Sequence, residues 1–161
     1  RNGIIRNCDF TNIGGVGAIV IFLMDKSKQN PVKSSYGFII ENRNFNNVRT
    51  PLTVIGNDSY RNYNDGEYKV IFRNSTTDGF KTLLDFRKAY GVLYENLTFK
   101  NNDKLYLYKQ QNEFYNFTIK SSLFDNTDIQ NNFEINKNSV KDLKFLNNRI
   151  LKNGKASQFF F

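Results

Sequence analysis

The sequence predicts an all-β chain folded as a right-handed parallel β-helix of about five to six coils, and three observations carry that prediction. The first is a recurring phrase. Aligned on a Phe and on the Asn two places later, it returns at Phe10/Asn12, Phe45/Asn47, Phe99/Asn101, Phe124/Asn126 and Phe145/Asn147. Five places before each Phe stands an apolar or aromatic residue (Ile5, Ile40, Tyr94, Ile119, Val140), and three places before it a small polar one (Asn7, Asn42, Asn96, Ser121, Asp142). The template is therefore apolar-x-polar-x-x-Phe-x-Asn. A degenerate copy at 70–74, aligned on Phe72 and Asn74, divides the long gap before Phe99, and the period of about 21 to 35 residues is that of a solenoid. The second observation is alternation with period two in the segments that follow each phrase, which argues for strands over helices. The third is that the intervening loops vary widely in length while the strands do not, as insertions do when confined to one side of a solenoid.

Taken in order, 3–13 is the first repeat strand, the run Gly14-Gly15-Val16-Gly17 turns the chain, and 18–24 is a second apolar strand. The same pattern of phrase, turn and second strand gives extended segments at 51–55, 81–86, 104–108 and 132–135. Loops rich in Asn, Asp, Lys and Ser separate the units, as at 25–36, 56–66 and 109–113. The stretch 138–151 can be drawn as a helix, but Val140, Asp142, Phe145 and Asn147 fit the strand template. Gly3, Gly37, Gly66 and Gly91 fall shortly before repeat strands, where a tight corner needs a permissive backbone. Pro51 opens a strand, a position that tolerates a missing donor. Stacked units place the Phe column in the interior and the Asn column at a semi-buried corner, where stacked amides satisfy backbone groups and one another. A β-sandwich is the rival fold, and the shared phrase disfavours it because sandwich strands share none.

With 161 residues the chain amounts to one β-helix domain, 1–161, and with Arg first and the repeat already under way at Ile5 it reads as a piece of a longer polypeptide. No apolar run approaches membrane-spanning length. The net charge of +8 makes polyanions the natural partners: nucleic acid, an anionic membrane or an acidic polysaccharide. A single Cys8 excludes an internal disulfide framework, and the absence of His removes the commonest general base and metal ligand. Sequons at Asn57, Asn74, Asn96 and Asn116 carry little weight in so Asn-rich a chain.

In a solenoid the outward strand positions and the loops carry function. If Leu84 and Phe86 face inward, Asp85 and Arg87 face out; in the following units the outward residues are Lys104, Tyr106 and Tyr108, and then Glu134. Stacking assembles a ribbon of Arg87, Lys88, Lys104, Tyr106, Tyr108 and Lys109 beside Asp85 and Glu134. Tyr rings beside cations suit an acidic or neutral glycan, with rings on sugar faces and Lys and Arg pairing the anions. An ordinary solvated strand face with aromatic cross-strand pairs accounts for the same residues. The acidic loop 57–67 suggests calcium only weakly, because setting Gly66 at the turn of an EF-hand puts Arg61 and Tyr63 where oxygen ligands are required, and an Asn/Asp/Gly turn explains it better. No cofactor is otherwise indicated. Ser and Cys lack a His partner, and no motif singles out a Lys or Arg base. Nucleic acid is disfavoured, because the basic residues are scattered and no helical reader or phosphate loop is evident.

The phrase N-x-x-F-x-N resembles the coil repeat of pectin-lyase-like right-handed β-helix proteins, which include polysaccharide lyases, glycosidases, phage tailspikes and adhesins, and the resemblance covers nearly the whole chain. The run 51–59, followed by a strand and then Leu83-Leu84-Asp85-Phe86, is similar to the later coils of alginate lyases and chondroitinase B. The resemblance implies acidic polysaccharide as the substrate class, cleaved in those enzymes by β-elimination with a Lys base and an Arg acid, usually near calcium. Their catalytic Lys and Arg-His segments are not found here, so no catalytic residue carries over and the kinship implies the non-catalytic part. The expected function is an extracellular carbohydrate-binding module of an acidic-polysaccharide-active protein, located outside the cell or on a cell or virion surface. The alternatives are a lyase or hydrolase fragment with its own site, and a structural tailspike, adhesin or filament segment. At the ends, the preceding chain or another subunit is expected to cover Ile4 and Ile5, and Phe159, Phe160 and Phe161 to pack over the last coil or a neighbour.

Overall fold

The computed structural model describes residues 3–22, 37–56, 68–82, 85–87, 89–102, 114–127 and 140–157, with backbone alone at 85–87, 114–115, 127, 140–142 and 157. Among them every regular element is a strand. In chain order these are β1 (Gly3–Arg6), β2 (Phe10–Thr11), β3 (Ile19–Phe22), β4 (Phe38–Glu41), β5 (Asn44–Asn46), β6 (Leu52–Ile55), β7 (Val70–Asp78), β8 (Asp85–Arg87), β9 (Tyr90–Asn102), β10 (Phe114–Lys120), β11 (Leu123–Thr127), β12 (Val140–Leu146), β13 (Arg149–Lys152) and β14 (Lys155–Ser157). The chain is all-β and its pairing is parallel throughout, except where β13 meets β14.

Three ladders run side by side. The first is β1-β4-β7-β9-β10-β12 and the second β2-β5-β7-β9-β11-β13, joined because β7 and β9 run through both; the third is β3-β6-β8. Each successive set of strands, a tier, pairs in the same order with the set before it. Neighbouring tiers are offset by 35, 32, 22, 25 and 26 residues, so the loops differ in length while the register holds. The bends between ladders keep the register as well: Asn12 N donates to Asn46 O at 3.0 Å, Asn47 N to Asp78 O at 2.8 Å and Ala18 N to Thr50 O at 2.8 Å.

Asparagine makes these bends possible. Within a tier the first two ladders are separated by a residue in the left-handed region at Asn7, Asn42, Asn74, Asn96, Ser121 and Asn147, and five places later a second one follows at Asn12, Asn47, Gly79, Asn101 and Asn126. Their φ values lie between 50° and 59° for all but Gly79, at 66°. A side chain in this region costs energy through its Cβ, and Asn tolerates it best after Gly. These Asn are exposed, which corrects the expectation of a semi-buried corner: the residue is selected for its backbone. Amide stacking does occur on that exposed edge, with Asn47 Nδ2 donating to Asn12 Oδ1 and Asn96 Nδ2 to Asn74 Oδ1, both at 2.8 Å. The residue after the first corner turns inward and serves the backbone of the preceding tier. Ser75 Oγ accepts from Arg43 N, Ser122 Oγ from Leu97 N, and Asn148 Oδ1 from Ser122 N.

The two inward columns beside the corners form the core. The first reads Ile5, Ile40, Phe72, Tyr94, Ile119, Phe145, and the second Phe10, Phe45, Thr77, Phe99, Phe124, Ile150. Two copies of the repeat are thereby moved by five residues: Phe72/Asn74 and Phe145/Asn147 belong to the first column and its corner, not to the Phe column. Both corners favour an inward apolar residue two places before a left-handed one, most often Asn, so the two halves of the template look alike. Rings stack at 4.9 Å between Phe10 and Phe45 and at 4.7 Å between Phe99 and Phe124. Where Thr77 interrupts the column, Phe80 packs edge-on to Phe99 at 6.0 Å. Gly3 has a different role from the one its position suggested, because a Cβ there would lie 2.7 Å from the Phe38 ring. The stretch 3–13 is two short strands rather than one, and 138–151 contains strand, as expected, followed by a hairpin that the repeat did not foretell. The segments 104–108 and 132–135 and the tail 159–161 lie outside the described residues.

Two substitutions test this architecture. Phe99→Ala should cost about 3 to 5 kcal/mol in denaturant unfolding, because a ring packed from both sides is lost; a loss below about 1 kcal/mol would mean the column is misassigned. Asn42→Ala should cost about 1 to 2 kcal/mol while Asn42→Gly stays near neutral. Equal stability of the Ala and Gly variants would remove the conformational explanation of the corners.

Candidate binding surface

The third ladder describes the backbone of two residues of the predicted ribbon. Phe86 pairs with the fully buried Val54, Asp85 with Thr53, which is fully buried as well, and Arg87 with the partly buried Ile55. The side chains of Asp85 and Arg87 are outside the described set, as are Lys88, Lys104, Tyr106, Tyr108, Lys109 and Glu134 altogether. The acidic loop 57–67 also lies outside it. Among the described residues no group of three or more His, Cys, Asp or Glu could hold a metal ion, and no helix is long and apolar enough to cross a membrane.

What the described surface does show is a ladder of alternating charge. On the first ladder the residue before each corner is Arg6, Glu41, Arg73, Glu95 and Lys120 in successive tiers, paired in register. Arg73 donates to Glu41 Oε2 through Nε and Nη2, both at 2.8 Å, and Lys120 Nζ lies 2.8 Å from Glu95 Oε1. Partly exposed pairs of this kind contribute about 0.2 to 1 kcal/mol each, so they specify which residue lies over which more than they stabilise. Their cations are neutralised within the fold and offer little to an anion.

A further group of exposed cations lies on the last described strands. β13 and β14 form a hairpin whose two-residue turn, Asn153-Gly154, has φ of 51° and 73°, the left-handed pair that a type I′ turn requires. Lys152 and Lys155 flank this turn and pair directly across it, and both are exposed. Like charges placed opposite one another repel. Neither is in an ion pair among the described residues. Arg149, at the start of β13, and Lys144, on the preceding strand β12, are also exposed. The Asn-Gly pair of the Lys-Asn-Gly-Lys run is a local hairpin signal that lies outside the repeat template.

Apart from these charges, one titratable side chain stands out. Tyr94 is fully buried in the first inward column, and burial raises its phenol well above the ordinary value of 10.0. It packs edge-on against Phe72 at 5.2 Å and Phe117 at 5.4 Å, which is a core position rather than a catalytic one. In comparisons with known proteins, the chain matches no family model, no curated protein and no solved structure.

Burial of Tyr94 makes stability depend on alkali. Above pH 10 the unfolded phenol ionises while the folded one stays protonated, so the stability present below that pH declines as pH rises through it. Denaturant midpoints measured from about pH 8 to about pH 11 should fall more steeply for the parent chain than for Tyr94→Phe. Identical slopes would place the Tyr94 hydroxyl in water.

Proposed function

We propose that the chain is a right-handed parallel β-helix of about five to six coils, of the pectin-lyase-like kind, acting as an extracellular carbohydrate-binding module for an acidic polysaccharide. The observation that carries this reading is the pair Lys152 and Lys155, two exposed cations held opposite each other with no acid between them. An arrangement that is unfavourable in the free chain becomes favourable once a polyanion lies across it. The in-register tiers support the same reading, since they repeat a strand spacing of about 4.8 Å and offer a long regular surface to a polymer. The predicted ribbon of Arg87, Lys88, Lys104, Tyr106, Tyr108 and Lys109 beside Asp85 and Glu134 is a second contact region in this proposal. No catalytic step is assigned. The alternative, a structural segment of a tailspike, adhesin or filament, is favoured by a different feature, the regular parallel stacking of strands through successive tiers.

Calorimetric titration with an acidic polysaccharide such as polygalacturonate and with a neutral glucan of equal length separates these readings. The acidic polymer should bind preferentially, with affinity that weakens as salt rises. Replacing Lys152 and Lys155 together by Glu should lower affinity roughly tenfold, with unfolding unchanged because both are exposed. Equal binding of the two polymers, or none, favours the structural segment. A triple variant, Arg87→Ala with Tyr106→Ala and Tyr108→Ala, tests the ribbon separately from the hairpin.

A further inference from the structure

We propose that Asn153, in the turn between Lys152 and Lys155, is a site of spontaneous deamidation, through which the hairpin acquires an acid between its two cations. The fold ties down the reacting groups of the corner asparagines and leaves those of Asn153 and Gly154 accessible.

The chemistry needs only the two turn residues and water. The backbone nitrogen of Gly154 gives its proton to solvent and attacks Cγ of the Asn153 side chain. The N–Cγ bond forms, the Cγ–Nδ2 bond breaks, and Nδ2 leaves as ammonia with a proton returned from solvent. Water then adds to one carbonyl of the resulting five-membered succinimide and reopens it. Opening at Cγ gives aspartate; opening at the main-chain carbonyl gives isoaspartate, whose chain runs through Cβ and Cγ. One water is consumed for each ammonia released, and no oxidant or reductant takes part.

Backbone conformation does not distinguish Asn153, since its φ of 51° is that of the corner residues. What distinguishes it is how the nucleophile and the leaving amide are held. At Asn42 and Asn96 the N–H that would attack belongs to Arg43 and Leu97, both buried, and it donates to Ser75 Oγ and Ser122 Oγ at 3.1 Å. At Asn47 and Asn101 the following residues, Val48 and Asn102, are buried as well. The amides of Asn47, Asn96 and Asn101 are themselves engaged, donating to Asn12, Asn74 and Asp78 at 2.8 Å. Asn153 and Gly154 are both exposed, and a Cβ built on Gly154 meets nothing within 4 Å, so the approach to its nitrogen is open. Among the described residues Asn153 is held only through its backbone, whose N–H donates to Asn126 Oδ1 at 2.9 Å, and that bond takes no part in the reaction. The chain has a second Asn-Gly pair at Asn2-Gly3, but there the nucleophile is occupied: Gly3 N donates to Gly37 O at 3.1 Å, and a Cβ on Gly3 would lie 2.7 Å from the Phe38 ring.

The two products have different consequences. Asp tolerates a left-handed backbone nearly as Asn does, so the aspartate form keeps the turn, and its carboxylate relieves the repulsion between Lys152 and Lys155. Isoaspartate adds a carbon to the main chain of a two-residue loop whose length sets the register of the hairpin, so β14 loses its pairing with β13. Either product lowers the charge available to a polyanion. That last consequence rests on the function proposed above, whereas the modification itself does not.

The full chain, incubated at neutral pH and digested at intervals, is followed by mass spectrometry for amide-to-acid conversion at each asparagine. Asn153 should convert at least about tenfold faster than Asn42 or Asn96, because a buried, hydrogen-bonded N–H reacts only after local opening. Its rate should stay within about tenfold of that in a synthetic peptide with the sequence of residues 149–157, which no fold restrains. Equal rates at Asn153 and the corners, or a rate in the chain further below that of the peptide, would overturn the proposal. Amide exchange along Lys155–Ser157 should match the parent in Asn153→Asp and quicken in the isoaspartate form separated by ion exchange. Unchanged exchange in that form would overturn the structural consequence. These readouts involve no polysaccharide, so they stand or fall separately from the binding experiments.

Discussion

Everything in this fold depends on a residue that is comfortable at positive φ at two places five residues apart. The first corner and the second keep that spacing at Asn7 and Asn12, Asn42 and Asn47, Asn74 and Gly79, Asn96 and Asn101, and Ser121 and Asn126, while the loops between tiers change length freely. A fixed spacing between bends means that every tier presents its side chains in the same directions, so parallel pairing, ring stacking and charge alternation all follow from one backbone requirement. The pattern ends where the spacing ends. After Asn147 the next left-handed residues are Asn153 and Gly154, and the chain there reverses into a hairpin instead of bending into another strand.

This explains which parts of the fold the sequence made legible. The period of the phrase, its strand character and the inward Phe at positions 10, 45, 99 and 124 could be read because an apolar residue followed two places later by Asn is what each bend needs. The same requirement hid the register. Phe72-x-Asn74 and Phe145-x-Asn147 satisfy the first bend as well as Phe99-x-Asn101 satisfies the second, and only the pairing of Phe72 with Ile40 and Tyr94 separates them. The role assigned to Asn was also displaced, because hydrogen-bonding capacity is visible in a residue's formula whereas tolerance of a left-handed backbone shows only in context. The expected ribbon depends instead on the parity of segments joined by long insertions, most of which lie outside the described residues. By contrast the Lys-Asn-Gly-Lys hairpin needed only a local rule.

Charge is divided between two tasks. Along the first ladder, cations and carboxylates alternate and neutralise one another, and they act on register: displacing one tier relative to the next would set Arg beside an apolar residue and leave Glu41 or Glu95 without a partner. Buried Arg43 belongs to the same category although it meets no acid. It stands where Ser75, Ser122 and Asn148 serve the corner in other tiers and ties two carbonyls of the first tier to the second, at the cost of an Nη2 with no hydrogen-bond partner. The net positive charge that sequence composition emphasises is therefore not spread evenly as available binding potential. On the described first ladder the charges of Glu41, Arg73, Glu95 and Lys120 are spent on register, whereas Lys152 and Lys155 on the hairpin are in no ion pair among the described residues.

Parallel pairing also gives the described tiers a polarity. In four side-chain contacts between tiers the later residue's amide donates to the earlier residue, Asn44 to Asp9, Asn47 to Asn12, Asn96 to Asn74 and Asn101 to Asp78, so the exposed corner of one tier is satisfied by the tier that follows it. The antiparallel pairing of β14 with β13 breaks that direction. An antiparallel strand is a poor template for a further parallel one on the same ladder, and the exposed Lys152 and Lys155 at its turn are the kind of charge that discourages edge-to-edge pairing.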